Sequence, residues 1–303
     1  MYIHLATIVT NKVCEVKLVT TDKEEDAMEY QKNREKRIRI FEDTLYYCER
    51  TACLSEAIMR TRKNTVLYRH PLKELNNMDK KRYKQSCEVF VSRNRILKTA
   101  GKLCLEYRDD RIGILNFASA VSPGGEVIRG GHTQEECLCR CSTLYPCLNT
   151  EELRQAYFDD NRRKGNGLYN DACIFTPGVI CIKEDTRWPV LMEQHNWFSV
   201  DVISCAEPKV WNASIKRTGL SYEEGVFLDE NEWKEMLVKR IQGMLQAAVS
   251  NLIDIMVIGI PSYEESSSLS DMEEQVLKKA LKEYRHSFKA IVFAIYYPVK
   301  EIL

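Results

Sequence analysis

The sequence contains no run of about 18 uninterrupted apolar residues, so no membrane-spanning helix is expected. Its first segment is broken by His4, Thr7, Thr10, Asn11 and Lys12, which does not fit a secretory signal. There is no Cys-x-x-Cys pair, no repeat and no low-complexity tract. Net charge is also missing, because Lys plus Arg and Asp plus Glu both number 44. A whole-molecule footprint for nucleic acid is therefore excluded, and no sequence-specific nucleic-acid partner is expected. One stretch departs from this balance. From Arg60 to Lys102 there are 13 basic residues against Glu74, Asp79 and Glu88. Such an excess can guide a polyanion, but a solvated face of N-terminal helices is the plainer reading.

The chain does have cysteine, 12 in 303 residues. Without a signal segment these belong to a reducing compartment, and the expected location is the cytoplasm. Cys137, Cys139, Cys141 and Cys147, near His132, form the most metal-like group. On a helix Cys137 and Cys141 share a face while Cys139 points away, so one tetrahedral ion does not easily collect all three. They read as buried small hydrophobes, and no metal is expected.

Apolar periodicity sets the expected elements. Residues 1–20 suggest an edge strand, and Thr21 to Glu29 is acidic and turn-like. Gln31 to Arg62 reads as helix, and Met78 to Leu97 as helical in whole or part. Arg111 to Ala118 is a short apolar run, a buried strand. Thr133 to Leu148 reads as helix and Asp159 to Asn170 as loop. Ile174 to Ile182 and Phe198 to Ser204 are expected strands, followed by a long helix over Asp229 to Leu252. Ile255 to Ile260 and Ala290 to Tyr296 are further strands, separated by a helix that Ser270 and Glu273 would cap. Strands alternating with helices predict an α/β fold with three α/β/α layers around a mixed central sheet.

The chemistry concentrates between Leu115 and Tyr145. A strand runs into Ser122, Pro123, Gly124, Gly125 and Glu126; Gly130 and Gly131 then lead into His132, Thr133, Gln134, Glu135 and Glu136. Glycines after a buried strand let backbone N–H groups approach an anion, and a helix N-terminus adds unpaired donors. A plain tight turn has the same composition. The adjacent acids sharpen the reading, because glycosidic chemistry uses a carboxyl group to protonate a leaving oxygen and then assist water. Successive helical residues lie ~100° apart, so Glu135 and Glu136 are not expected to face one bond together.

Several runs resemble the bacterial-type poly(ADP-ribose) glycohydrolase family: Leu115 to Ala120, Ser122 to Gly125, Gln134 to Glu136 and Leu138 to Pro146. Weaker similarity continues through Leu168, Tyr169 and Asp171, Phe175 to Val179, and Val202 to Pro208; residues 33–49 are similar to the family's N-terminal helix. The resemblance implies a macrodomain-like fold with N-terminal helices added, here a domain over 31–303 that includes those helices, preceded by an N-terminal extension over 1–30. It implies glycohydrolase activity that releases ADP-ribose from ribose–ribose linkages, with no cofactor. The implied partner is ADP-ribose, poly(ADP-ribose) or an ADP-ribosylated protein.

By the same resemblance Glu136 protonates the linkage oxygen, Glu135 holds ribose hydroxyls and Gln134 orients the pair. Gly124 and Gly125 would face the pyrophosphate, and Asn116 with Ser119 would line the distal ribose. Two positions depart from the family's pattern. Glu126 stands at the third glycine, where a charged side chain opposes a phosphate unless it turns outward. The late glycine- and aromatic-rich loop is reduced to Gly259, with Pro261 lacking a donor and Tyr263 as the candidate to pack on ribose. A binding module without turnover, or a hydrolase of a related ADP-ribosyl conjugate, is the alternative.

Overall fold

Seven strands form one mixed sheet in the order Val66–Tyr68, Cys173–Cys181, Phe198–Ala206, Ile112–Ala118, Ile255–Ile260, Ala290–Ile295 and Glu88–Ser92. This computed structural model describes residues 21–69, 81–164, 167–206, 210–211, 226–227, 229–260 and 271–295. The chain enters through α1 (Thr21–Arg50) and α2 (Ala52–Asn64), then β1 (Val66–Tyr68) and β2 (Glu88–Ser92). Next come α3 (Ile96–Glu106), β3 (Ile112–Ala118), α4 (Gln134–Cys141), α5 (Leu144–Leu148), α6 (Glu151–Leu153) and α7 (Asp159–Lys164). The second half contains β4 (Cys173–Cys181), β5 (Phe198–Ala206), a small parallel pair β6 (Val210–Trp211) and β7 (Val226–Phe227), α8 (Glu230–Ser250), β8 (Ile255–Ile260), α9 (Asp271–Leu281) and β9 (Ala290–Ile295).

β3 sits at the centre, parallel to β5 on one side and β8 on the other. A strand with helices over both faces must be apolar on both, which is why Ile112 to Leu115 read as one continuous buried run. Successive residues feed opposite layers. Ile112 and Ile114 pack with Phe41 of α1, Leu97 of α3 and Leu138 of α4. Leu115, with Met256 and Ile258 of β8, packs against Ile241 and Leu245 of α8 and Leu277 of α9. This is the expected three-layer α/β arrangement. β1 and β4 run antiparallel at one side, so the sheet is mixed.

Several expectations are corrected. Thr21 to Glu29 is not a turn but the first part of the 30-residue α1. The single helix expected to Arg62 breaks at Thr51, whose extended backbone (φ −99°, ψ 112°) starts α2. Met78 to Leu97 yields strand β2 before α3 begins; β2 pairs in parallel with β9 at the sheet edge. The helix expected over Thr133 to Leu148 divides at Ser142, which bridges to Cys181. Asp159 to Lys164 is helical rather than loop. The expected edge strand in residues 1–20, Pro71, the Ser270 cap and the 261–270 loop with Tyr263 lie outside the described residues.

Candidate active site

The end of β3 leads at Ser119 into the glycine turn. Gly124 and Gly125 both have left-handed backbones (φ +67° and +59°). This sharp reversal brings the turn back over the start of α4. A Cβ on Gly125 would lie 2.4 Å from Glu136 Oε1 and 3.2 Å from Glu135 Oε2. Glycine is therefore required here because two carboxyl groups occupy the space a side chain would need. Both acids flank the same point. Their side chains reach it from adjacent positions at the start of α4.

The two acids differ in surroundings. Thr133 caps α4, and its N–H donates to Glu136 Oε2 at 2.6 Å, with its hydroxyl on the same oxygen. The N–H of Glu126 donates to Glu136 Oε1 at 2.9 Å. Thus both Glu136 oxygens are met by donors from the two ends of one loop. Glu135 is more deeply placed, 2% exposed, and its Oε2 accepts the Ser119 N–H at 2.7 Å. Its Oε1 has no hydrogen-bond partner among the described residues. Burial, followed by the adjacent Glu136 charge, pushes the Glu135 carboxyl up to about 8, against the bonds from the Ser119 and Gly124 amides.

The expected site residues divide by position. Gln134 donates to Leu115 O at 3.1 Å and lies against Gly259, where a Cβ would be 2.6 Å from its Nε2. Gly259 thus admits the Gln134 amide, which ties the start of α4 to the centre of the sheet. Asn116 is fully buried and donates to Ser204 Oγ at 3.0 Å, leaving its Oδ1 without a partner among the described residues. Ser119 Oγ accepts from the Val121 and Ser122 amides and shapes the turn. The Gly125 amide donates to Ser122 O at 3.0 Å, and the Gly124 amide serves Glu135. These donors are committed to the turn and the acids, a use not evident in the sequence.

A cleft of about 400 Å³ opens on the outer side of the turn, lined by Pro123, Gly125, Glu126, Tyr145, Arg154 and Arg162 among others. The Glu126 side chain turns outward and pairs with Arg129 at 3.0 Å; both are well exposed. The Glu126 charge is thus paired with Arg129 at the cleft that both residues line. An exposed pair contributes little, so Glu126→Gly is expected to change ADP-ribose affinity by less than about fivefold. Calorimetric titration checks this, and a larger gain would return the side chain to the phosphate path.

Three further features carried no sequence signal of their own. Arg140 Nη1 donates to Gly131 O at 2.5 Å. Burial and the Arg37 charge push the His132 imidazole below its ordinary value. A π-helical turn, Arg154–Phe158, buries Tyr157 to 1% exposure; its hydroxyl has no partner among the described residues, and burial pushes the phenol well above its ordinary value. The cysteines of the 137–147 group are unpaired; Cys139 and Cys141 lie in the main core and Cys147 in a smaller one. Among the described residues no cluster of metal-ligating side chains occurs.

A mixed α/β/α sheet whose central strand ends in a glycine turn over a buried carboxyl pair defines a macrodomain-like domain. Residues 34–184 match the family described as microbial-type PARG, catalytic domain, and over this stretch the chain belongs to that bacterial-type poly(ADP-ribose) glycohydrolase family. Among solved structures, poly(ADP-ribose) glycohydrolase from Thermomonospora curvata is 22% identical, with TM-score 0.70, covering 88% of this chain and 96% of its own. The same enzyme bound to the inhibitor ADP-HPD is 23% identical with TM-score 0.66 over the same shares. The Deinococcus radiodurans enzyme in complex with ADP-ribose is 21% identical with TM-score 0.62, covering 80% of this chain and 92% of its own. These likenesses establish the fold. No curated protein matches the sequence.

Proposed function

We propose that the chain hydrolyses the ribose–ribose glycosidic linkage of ADP-ribosyl polymers or conjugates and releases ADP-ribose. The observation that carries this is the pair of buried carboxyls that converge behind Gly125, one of them pushed up by burial. Two carboxyl groups at one point are what glycoside hydrolysis asks of a protein. Glu136 lies nearer the missing Cβ of Gly125, which lines the outer cleft; this supports Glu136 as the group at the scissile bond. It gives a proton to the leaving oxygen and takes one from the water that attacks the anomeric carbon.

Glu135 Oε1 and Asn116 Oδ1, both buried and unpartnered, suit ribose hydroxyls. Ser119 and Gln134 hold the two acids' supports in place, and Gly124, Gly125 and Gly259 permit the close approaches this requires. Tyr263 is proposed to pack on the bound ribose, and residues 31–303 to form the glycohydrolase-type domain. Unpaired cysteines fit a reducing, cytoplasmic setting.

One observation favours a binding module instead: every oxygen of Glu136 is already occupied by Thr133 and Glu126. Calorimetry with ADP-ribose and a release assay on poly(ADP-ribose) separate the readings. The expected result is binding together with release of ADP-ribose. Binding without release would select the module, and the absence of both would remove ADP-ribose as the ligand.

A further inference from the structure

We propose that Arg34 and Arg37 of α1, with Arg140 of α4, are positioning residues for the acid pair. They fix three successive carbonyls of the loop on which Glu136 depends. Arg34 Nε donates to Arg129 O at 2.7 Å, Arg37 Nε to Gly130 O at 2.6 Å and Arg140 Nη1 to Gly131 O at 2.5 Å. The inference rests on the glycohydrolase reading for its kinetic consequence, but not for the clamp itself.

The loop from Glu126 to Thr133 is the link between α1 and the chemistry. Its two ends supply all the donors that reach Glu136. Its middle is closed by the Gly131 amide on Glu126 O at 2.8 Å. Gly130 holds a left-handed backbone (φ +77°), and a Cβ there would lie 2.6 Å from Arg34 O. Helix and loop are therefore in backbone contact. Moving the three carbonyls moves Glu126 and Thr133, and with them the Glu136 carboxyl. Displacements of an ångström at a reacting group cost up to about 10² in rate.

α1 is itself anchored. Lys183, buried beneath it, donates to Ile40 O at 2.7 Å and pairs with Asp43 at 2.7 Å. Lys36 Nζ lies 4.1 Å from the Trp188 ring centroid. The arginines are thus presented from a fixed platform. Their arrangement is also electrostatically unfavourable. Burial, followed by the Arg140 charge, pushes the Arg37 guanidinium below its ordinary value, and Arg37 Nη2 is buried with no partner among the described residues. A loop that needed only a shape would be held at lower cost by neutral donors. Penalties of this kind gather where geometry serves function.

The test uses the full chain with Arg34→Met, Arg37→Met, Arg37→Lys and, as control, exposed Arg39→Met. Four quantities are measured: kcat on poly(ADP-ribose), ADP-ribose Kd and stoichiometry by calorimetry, and amide exchange at Glu126 and Thr133. Arg37→Met is expected to lower kcat about 10- to 100-fold with Kd and stoichiometry unchanged. It should also speed exchange at both amides by at least about tenfold, while Arg37→Lys recovers part of each effect and Arg39→Met has none. Unchanged exchange in Arg34→Met and Arg37→Met overturns the clamp whatever the activity. So does a fall in stoichiometry parallel to kcat, which marks a lost fold. A wild type that releases no ADP-ribose overturns the glycohydrolase reading instead, and exchange alone then decides the clamp.

Discussion

Glu136→Gln is expected to lower turnover on poly(ADP-ribose) by ~10² or more while leaving ADP-ribose affinity nearly unchanged. The replacement preserves side-chain length and one acceptor oxygen but removes the acid and base. In the resting structure Glu136 receives the Glu126 amide on one oxygen and Thr133 on the other. The amide of Gln can keep only one of these acceptors, so one buried donor loses its bond at about 1–3 kcal/mol. Some loss of stability should therefore accompany the loss of rate. Calorimetric stoichiometry separates the two, because a fully folded variant binds one equivalent of ADP-ribose. Turnover within threefold of wild type, with stoichiometry intact, would remove Glu136 from the reaction.

The second large effect lies in Glu135 and is read by denaturation. Its carboxyl, ordinarily at 4.5, rises to about 8 in the folded chain, first through burial and then through the Glu136 charge. A raised folded value means that the folded state holds the proton more tightly than the unfolded state. Stability is then fully present below about 4.5 and lost as pH rises toward 8. Each unit of difference corresponds to about 1.4 kcal/mol, so the change is on the order of 3–5 kcal/mol. Glu135→Gln cannot ionise and should lack this pH dependence. Urea unfolding at pH 4.5 and pH 8 should show the variant gaining on wild type by that amount. Parallel stability curves would place the proton elsewhere. If the same proton feeds catalysis, wild-type kcat/KM should also fall as pH passes about 8.

The sheet was largely legible because its strands are buried on both faces and cannot disguise their apolar runs. Ile255 to Ile260 is read with the same bounds as β8. β2 was hidden by its place at the edge, where Val89 and Val91 are each 58% exposed and basic residues stand nearby. The α1–α2 break at Thr51 was invisible because the apolar spacing continues across it. At the site, the acids and glycines were readable as types but their use was not. The spacing of Thr133 and Glu136 is that of a capping box, a signal the sequence does carry and one that ties Glu136 to the loop before it. Arg34 and Arg37 gave no local signal, since they act on residues 95 and 93 positions away.

The π-helical turn at Arg154–Phe158 bears on how this chain tolerates change in length. A π turn holds one residue more than the α-helical path between the same ends. Removing one residue from the segment lets the turn close to the ordinary helical period between the same ends, so that α6 and α7 keep their places. What such a loss disturbs is the turn itself, where Tyr157 lies in the core and Phe158 stands edge-on to it at 5.0 Å. The extra residue is thus held for the two rings it delivers inward, and not for the connection it makes.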